Sequence, residues 1–469
     1  LQVPILSGIY VDNGPDFRIS YPVNMVPVPL PNGASNGYLR PAEGTYALGN
    51  GSGATRAQIN WNGTLYAIHG TDFVSIDVDG NVLVLGTVAA GGTATMDYGF
   101  DYLYIAAGDR LYLYDGSTLT EVTDPDLGAV LDVLWIDGYW MTTDGEYLVV
   151  GDLTNPFAIN PLKYGAAEAS PDPIVGLLRL RNEVYAVGRN TIEVFDNVGG
   201  TGFPFARIEG AQIPKGAVGT HAACVFMEAV AFLGGGVNEA PGVYVGSGGA
   251  TQKVSTVEID RILEDFTEAE LADTVLEARN DRAHQHLYVH LPDRTLVYDA
   301  TASQALGQAV WFVLTSGLSG FSQYRIQHMT WCYDRWNVGD PTDEAFFGYL
   351  DATTGQHWGD EVRWEFATTM LYAEGRGAVL DRLELVALPG SSVHGYGTEP
   401  TISTSYSLDG VTWSRDFSIS VGGTGDRRKR LCWFRQGAFR NRRMQRFQGD
   451  STSHVSFARL EAAVTPLAF

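Results

Sequence analysis

The chain has 469 residues, 45% of them hydrophobic and 12% aromatic. That composition excludes a disordered chain, and the length exceeds one ordinary core. With 54 acidic against 31 basic residues, the net charge of −23 excludes bulk attraction to nucleic acid.

Glycine and tyrosine, at 55 and 23 residues, favour turns and strands over helices. No charged-then-apolar leader heads the numbered chain, and Leu1 implies at least an initiator methionine before it. No stretch reaches the ~18 apolar residues of a membrane-spanning helix. Cys224, Cys332 and Cys432 are far apart and show no metal-ligand spacing. They read as buried thiols of a protein made in a reducing compartment.

Residues 1–44 stand outside the repeat carried by the next segment. The stretch Tyr21–Pro31 is rich in proline, which fixes φ and lacks an N–H, so it reads as an extended docking arm. Met25 and Val26 form an apolar strip within it, expected to dock on a partner surface.

Residues 45–375 carry a repeat. Its clearest copy is the hairpin of Phe100 to Gly116. Tyr102, Tyr104 and Ala106 alternate with Leu103, Ile105 and Ala107, Gly108-Asp109 supplies a two-residue turn, and Leu111–Tyr114 returns. Tyr104 precedes Asp115 by eleven positions, and the same offset links Tyr66 to Asp77, Tyr185 to Asp196 and Tyr288 to Asp299. Weaker copies surround Tyr139-Trp140, Val243-Tyr244 and Phe346-Phe347. Short strands repeating every roughly 40 to 50 residues mark a β-propeller, here of about six to seven blades. The alternative is a set of unrelated hairpins in a β-sandwich. Between the strands, Thr267 and Glu270 form a capping box, predicting a helix from Thr267 to about Ala278. A shorter helix carrying Ile259, Ile262, Leu263 and Phe266 precedes it.

The pattern changes near the C-terminus, and residues 376–469 read as a small β-sandwich. Its predicted strands are Leu383–Leu388, Thr401–Leu408 and Val455–Val464, with a hairpin turn at Asp409-Gly410. The turn resembles one aspartate box of sialidases, one residue short and without companions.

Catalytic chemistry finds little support. His284, His286 and His290 alternate on one strand, but no further zinc ligand follows at fixed spacing, so they read as polar residues of an exposed face. Gly246–Lys253 lacks the Gly-Lys-Ser/Thr ending of a phosphate loop. No nucleophile elbow occurs, and no glycosidase carboxylate pair can be singled out. No enzyme activity, cofactor or metal is expected. One cluster stands out: Arg427, Arg428, Lys429, Arg430, Arg435, Arg440, Arg442, Arg443 and Arg446, with no acid among them. Leu431, Trp433, Phe434, Phe439 and Phe447 interleave, which fits strand–turn–strand about Gly437. A solvated face is the plain alternative. Unshielded cations repel one another, so contact with an acidic partner, protein or nucleic acid, is preferred.

These segments, in this order, resemble the packaged-DNA stabilisation, or tail hub (nozzle), proteins of short-tailed bacteriophages. The resemblance rests on Tyr21–Met25, Asn36–Arg40, Asn190–Phe195, Asp260–Glu270, Leu291-Pro292, Leu296–Asp299, Trp311–Gly317 and the basic run with Trp433 and Arg440–Arg443. Each is unspecific alone; their shared order is the stronger sign. The loops Asn197–Gly210 and Ser391–Pro400 add nothing to it. The resemblance implies a non-enzymatic virion protein assembled in the bacterial cytoplasm. It implies a six-fold ring below the portal and adaptor, joined to distal tail proteins and closing or extending the DNA channel. It implies no sequence-specific DNA binding and no membrane insertion. The runner-up is a propeller that binds or cleaves bacterial surface polysaccharide.

Overall fold

The computed structural model describes all residues except 12–16, 31–34, 168–170, 373–375, 391–398 and 468–469. Pro31, at the end of the arm, and most of the Ser391–Pro400 loop therefore lie outside the described residues. The chain forms two compact units. The propeller unit holds Ala47–Pro292 and Arg325–Tyr349; the sandwich unit holds Leu1–Tyr46, Asp293–Tyr324 and Leu350–Phe469. The fold is all-β, as the sequence predicts. Among the described residues no helix is long and apolar enough to cross a membrane.

The propeller unit is a series of antiparallel meanders. The first runs Thr55–Trp61, Thr64–His69, Asp72–Ile76 and Val82–Thr87. Three more four-stranded meanders start at Thr95, Asp132 and Ile174, and a five-stranded one at Gly216. A hairpin of Val275–Asp281 and His284–His290 comes next. The last sheet joins Gln327–Cys332, Arg335–Gly339 and Phe346–Asp351 to Gly44–Asn50 from the start of the chain. One meander cannot bury both its faces, so each packs on the next. Leu103, Ile105 and Tyr114 pack on Trp61, Ile68 and Phe73; Val133 and Trp140 pack on Leu111 and Leu113. Cys332 and Phe347 of the last sheet then pack on Leu65, Ala67 and Val74 of the first, which closes the ring.

The Tyr/Asp offset is structural. Tyr66, Tyr104, Tyr185 and Tyr288 all lie on second strands, and their aspartates all lie at or within one residue of the ends of third strands. Tyr104, Tyr185 and Tyr288 are buried, and Tyr66 stacks on Phe73 at 5.7 Å. Three of the aspartates cap the backbone just beyond their strands. Asp77 accepts from the N–H groups of Asp79 and Asn81, Asp115 from Ser117 and Thr118, and Asp299 from Ala302. Removing such a tyrosine ring leaves a cavity, so Tyr104→Ala is expected to cost about 3 kcal/mol, read as a lower denaturant midpoint.

The helical insertion is shorter than predicted. Helices Val257–Glu264 and Glu268–Ala272 form, and the capping box of Thr267 and Glu270 is present on both sides. But Asp273 caps the second helix, and Val275 and Ala278 belong to a strand, opposite His290 and Leu287. Their spacing of three suited a helix; pairing with the next strand prevails. His286 and His290 are buried, not on an exposed face.

The sandwich unit draws on both ends of the chain. One sheet runs Met25–Val28, Tyr38–Pro41, Phe457–Pro466, Ala378–Ala387, Leu431–Phe434, with Gln2–Val3 paired to Phe457–Pro466. The other runs Arg363–Ala367, Arg442–Asp450, Thr401–Ser407, Phe417–Ser420. Trp364, Phe366, Trp433, Phe447 and Phe457 fill the space between, together with Met25 and Leu39. The sandwich strands thus begin at Arg363, before the expected boundary at 376, and residues 1–44 are part of the same unit. The Asp409 turn forms as expected, with Asp409 Oδ1 accepting from Val411 and Thr412 N–H at 2.9 and 2.8 Å.

Candidate partner surface and the polar ring centre

The basic run folds as strand, turn and strand: Leu431–Phe434, Ala438–Phe439 and Arg442–Asp450, with Arg435 and Gly437 at φ 54° and 84°. That geometry separates its cations into two groups. Arg443 lies wholly inside the sandwich unit. Its Nη1 donates to Gln436 O at 2.6 Å, its Nε to Gln445 Oε1 at 3.1 Å, and its guanidinium lies 3.8 Å over the Tyr406 ring. Burial pulls its pKa down to about 10, so it stays charged at neutral pH. Arg446 donates to Ser405 Oγ and lies 4.5 Å over Trp413; Arg442 donates to Asp409 O. Arg430 forks onto Glu384 at 2.7 and 2.6 Å, and that hydrogen bonding holds the Glu384 carboxyl below its usual range.

Arg427, Arg428, Lys429, Arg435 and Arg440 are exposed and make no ion pair among the described residues. Phe434, 65% exposed, lies next to Arg435 on the outer face of its strand. This second group is the candidate surface.

Three expected contact residues are corrected. Arg443 cannot face a partner, because two sheets enclose it. Met25 and Val26 are buried in a strand paired with Tyr38–Pro41, so the arm's apolar strip docks on its own chain. The anchor beside them, Asn24, carried no clear sequence signal. It sits at φ 51°, its Nδ2 donates to Thr315 O and Arg363 O at 2.9 and 2.7 Å, and its Oδ1 accepts from Thr315 N.

Sequence reasoning also missed a polar cluster at the middle of the propeller unit. Glu277, on a first strand, accepts from the backbone N–H groups of His328 and Met329 at 2.6 and 3.2 Å. The rings of His290 and His328 lie 3.6 and 3.7 Å from its oxygens. Burial alone would raise the Glu277 carboxyl, but the close His290 and His328 rings and the backbone N–H donors bring it to about 2. Nearby, His69 Nδ1 meets Thr55 Oγ1 at 3.1 Å, and His221 Nε2 meets Thr93 O at 3.2 Å. Thr93 joins the first and second meanders while His221 belongs to the fifth, so this contact crosses the ring and fills its middle. Burial lowers both histidines to about 4. The signal in sequence was thin: of nine histidines, only His284, His286 and His290 share a spacing, and His69, His221 and His328 stand far from them in the chain.

Comparison with known proteins decides the family. Residues 1–355 match the family described as Bacteriophage P22 Gp10, beta-propeller, and residues 363–465 the one described as Bacteriophage P22 Gp10, beta-sandwich. The chain belongs to the P22 Gp10 family. It is similar to the tail hub protein gp10 of Salmonella phage P22, 28% identical over 465 residues, covering 94% of each chain. Two solved structures show a weaker likeness. PorZ of the type-IX secretion system of Porphyromonas gingivalis is 12% identical over 79% of this chain and 46% of its own, at TM-score 0.41. The N-terminal domain of Nup159 is 9% identical over 66% of this chain and 95% of its own, also at TM-score 0.41.

Proposed function

We propose that this chain is a structural tail hub protein of a short-tailed phage, without enzymatic activity. Copies form a ring, six-fold as the resemblance implies, below the portal and adaptor. The ring closes or extends the channel through which DNA leaves, and distal tail proteins attach to it. The observation that carries this reading is the match along 94% of both chains, propeller first and sandwich second, to a protein named as a tail hub. A phage whose only copy of this chain is deleted should package DNA and then lose it. Full retention and infectivity without the chain would sink the proposal.

The charge bears on how DNA is held. Duplex DNA carries one negative charge per ~1.7 Å of axis, so a wall that grips it must be basic. Here the propeller unit has 36 of the 54 acidic residues but only 14 of the 31 basic ones. The protein therefore retains DNA by sealing the exit with its partners, not by gripping phosphates. Acidic residues dominate the surface toward the channel, and the basic run lies away from it. Purified protein should show no appreciable duplex binding near physiological salt. Tight binding that weakens steeply with salt and vanishes on neutralising Arg427–Arg430 would make the run a DNA clamp instead.

A further inference from the structure

Charge is divided unevenly between the units. The sandwich unit has the remaining 18 acidic and 17 basic residues and is nearly neutral, so the propeller unit carries almost all of the −23. Strand direction alternates within a meander, so its first-to-second and third-to-fourth turns lie at one end of the ring. In the first four meanders that end presents exposed Val78, Phe100, Leu153 and Val198. Interspersed are the exposed carboxylates Asp79, Asp101, Asp115, Asp137 and Asp196, none in an ion pair among the described residues. The bases of these meanders are already used. Arg56 is buried against backbone carbonyls, and Arg110, Lys163, Arg179, Arg181, Arg189 and Arg207 each hold another carboxylate. Phe100 stands 87% exposed against Trp135, their rings 5.5 Å apart edge to face. The sandwich unit presents the converse: five exposed cations without ion pairs, with the exposed Phe434 next to one of them, Arg435.

We propose that the Arg427–Lys429 corner of one copy docks on the acidic, apolar turn face around Phe100 and Asp101 of a second copy. Each chain carries one of each patch. The contact is therefore head-to-tail, and such contacts close into rings or run on as filaments. This names the joint of the ring in the tail-hub reading and rests on that part of it. The occupant is argued from the charges: a basic corner on a chain whose other unit is acidic at one end.

Sedimentation of the full chain across a concentration series tests it. At ~50 mM salt it should self-associate, and at ~500 mM it should dissociate, because screening shortens the reach of these charges. R427E/R428E/K429E should weaken association about tenfold or more, and D101K/D196K similarly. Mixing the two variants should restore it, since each keeps the patch that now complements the other. Circular dichroism checks folding, and if either variant misfolds, Arg428→Gln and Asp101→Asn replace it with smaller losses expected. A chain that stays monomeric at every concentration overturns the proposal. So does association indifferent to salt, or mixing without rescue. Loss of duplex DNA binding in the triple variant, with self-association unchanged, would also overturn it. A variant that enters particles normally but fails here leaves the tail-hub reading standing and removes only this joint.

Discussion

Arg443→Ala should destabilise the sandwich unit by about 4 kcal/mol, the cost range for a large buried side chain that also holds polar groups. Three losses combine. The face of Tyr406 loses the guanidinium 3.8 Å above it. Gln436 O loses its donor beside the turn at Gly437. A cavity opens beside the buried Gln445 and the Tyr406 ring. Arg443→Lys keeps the charge but not the planar fork that serves Gln436 and Gln445 together, so an intermediate loss is expected. Urea titration followed by tryptophan fluorescence would measure both. A drop below ~1 kcal/mol for the alanine variant would show that burial here is tolerated, not structural.

That a run of nine cations hides a buried staple was not legible in the sequence. Charge density alone cannot say which cation a second sheet will cover. Strand Arg442–Asp450 sits inside its sheet, paired to Arg363–Ala367 on one side and Thr401–Ser407 on the other. Alternation along it is broken, with Arg443, Met444 and Gln445 buried in succession. The arm behaves alike: an apolar strip among prolines announces docking, but not on what. Met25 found its own sandwich because Asn24 anchors the chain there. What was legible was local. Gly108-Asp109 fixed its hairpin because both residues take positive φ, at 57° and 61°. The eleven-residue offset survived because it spans one turn between two adjacent strands. The more regular repeat, a tight turn between first and second strands, stayed hidden. Asn62-Gly63 and Asp137-Gly138 spell it in the usual residues. Arg181, Met227, Arg282 and Tyr333 take the same left-handed backbone without that spelling. Their paired strands hold them there against intrinsic preference. The helix was overextended for a related reason: three-residue spacing at Val275 and Ala278 is satisfied equally by a strand whose faces are both covered.

Acid should unfold the propeller unit earlier than its carboxylates alone would require. His69 and His221 are neutral in the folded state, at about 4 against the ordinary 6.5. Below pH 6.5 the unfolded chain binds protons at these two sites and the folded chain does not. Stability therefore rises with pH between about 4 and 6.5, is complete above 6.5, and is lost on acidification through that window. Each histidine contributes on the order of 3 kcal/mol at most, from a shift of 1.36 kcal/mol per unit. His328 is lowered by burial too, though Glu277 opposes this, so it adds in the same direction. Glu277 acts in a lower window. Its folded value of about 2 lies below the ordinary 4.5, so its contribution is present above 4.5 and disappears as pH falls through 2. The groups facing these sites are Thr55, Asp72 and Phe347 beside His69, and Thr93 beside His221. Burial is the larger cause of the depression at both sites, and the nearby His328 ring lowers both further. Denaturant midpoints should hold level from pH 7.5 to about 6.5 and then fall toward pH 4. His69→Gln and His221→Gln should each flatten the slope by about one proton while costing some stability at pH 7. A slope unchanged in both variants would show that the middle of the ring admits water and that these histidines titrate normally.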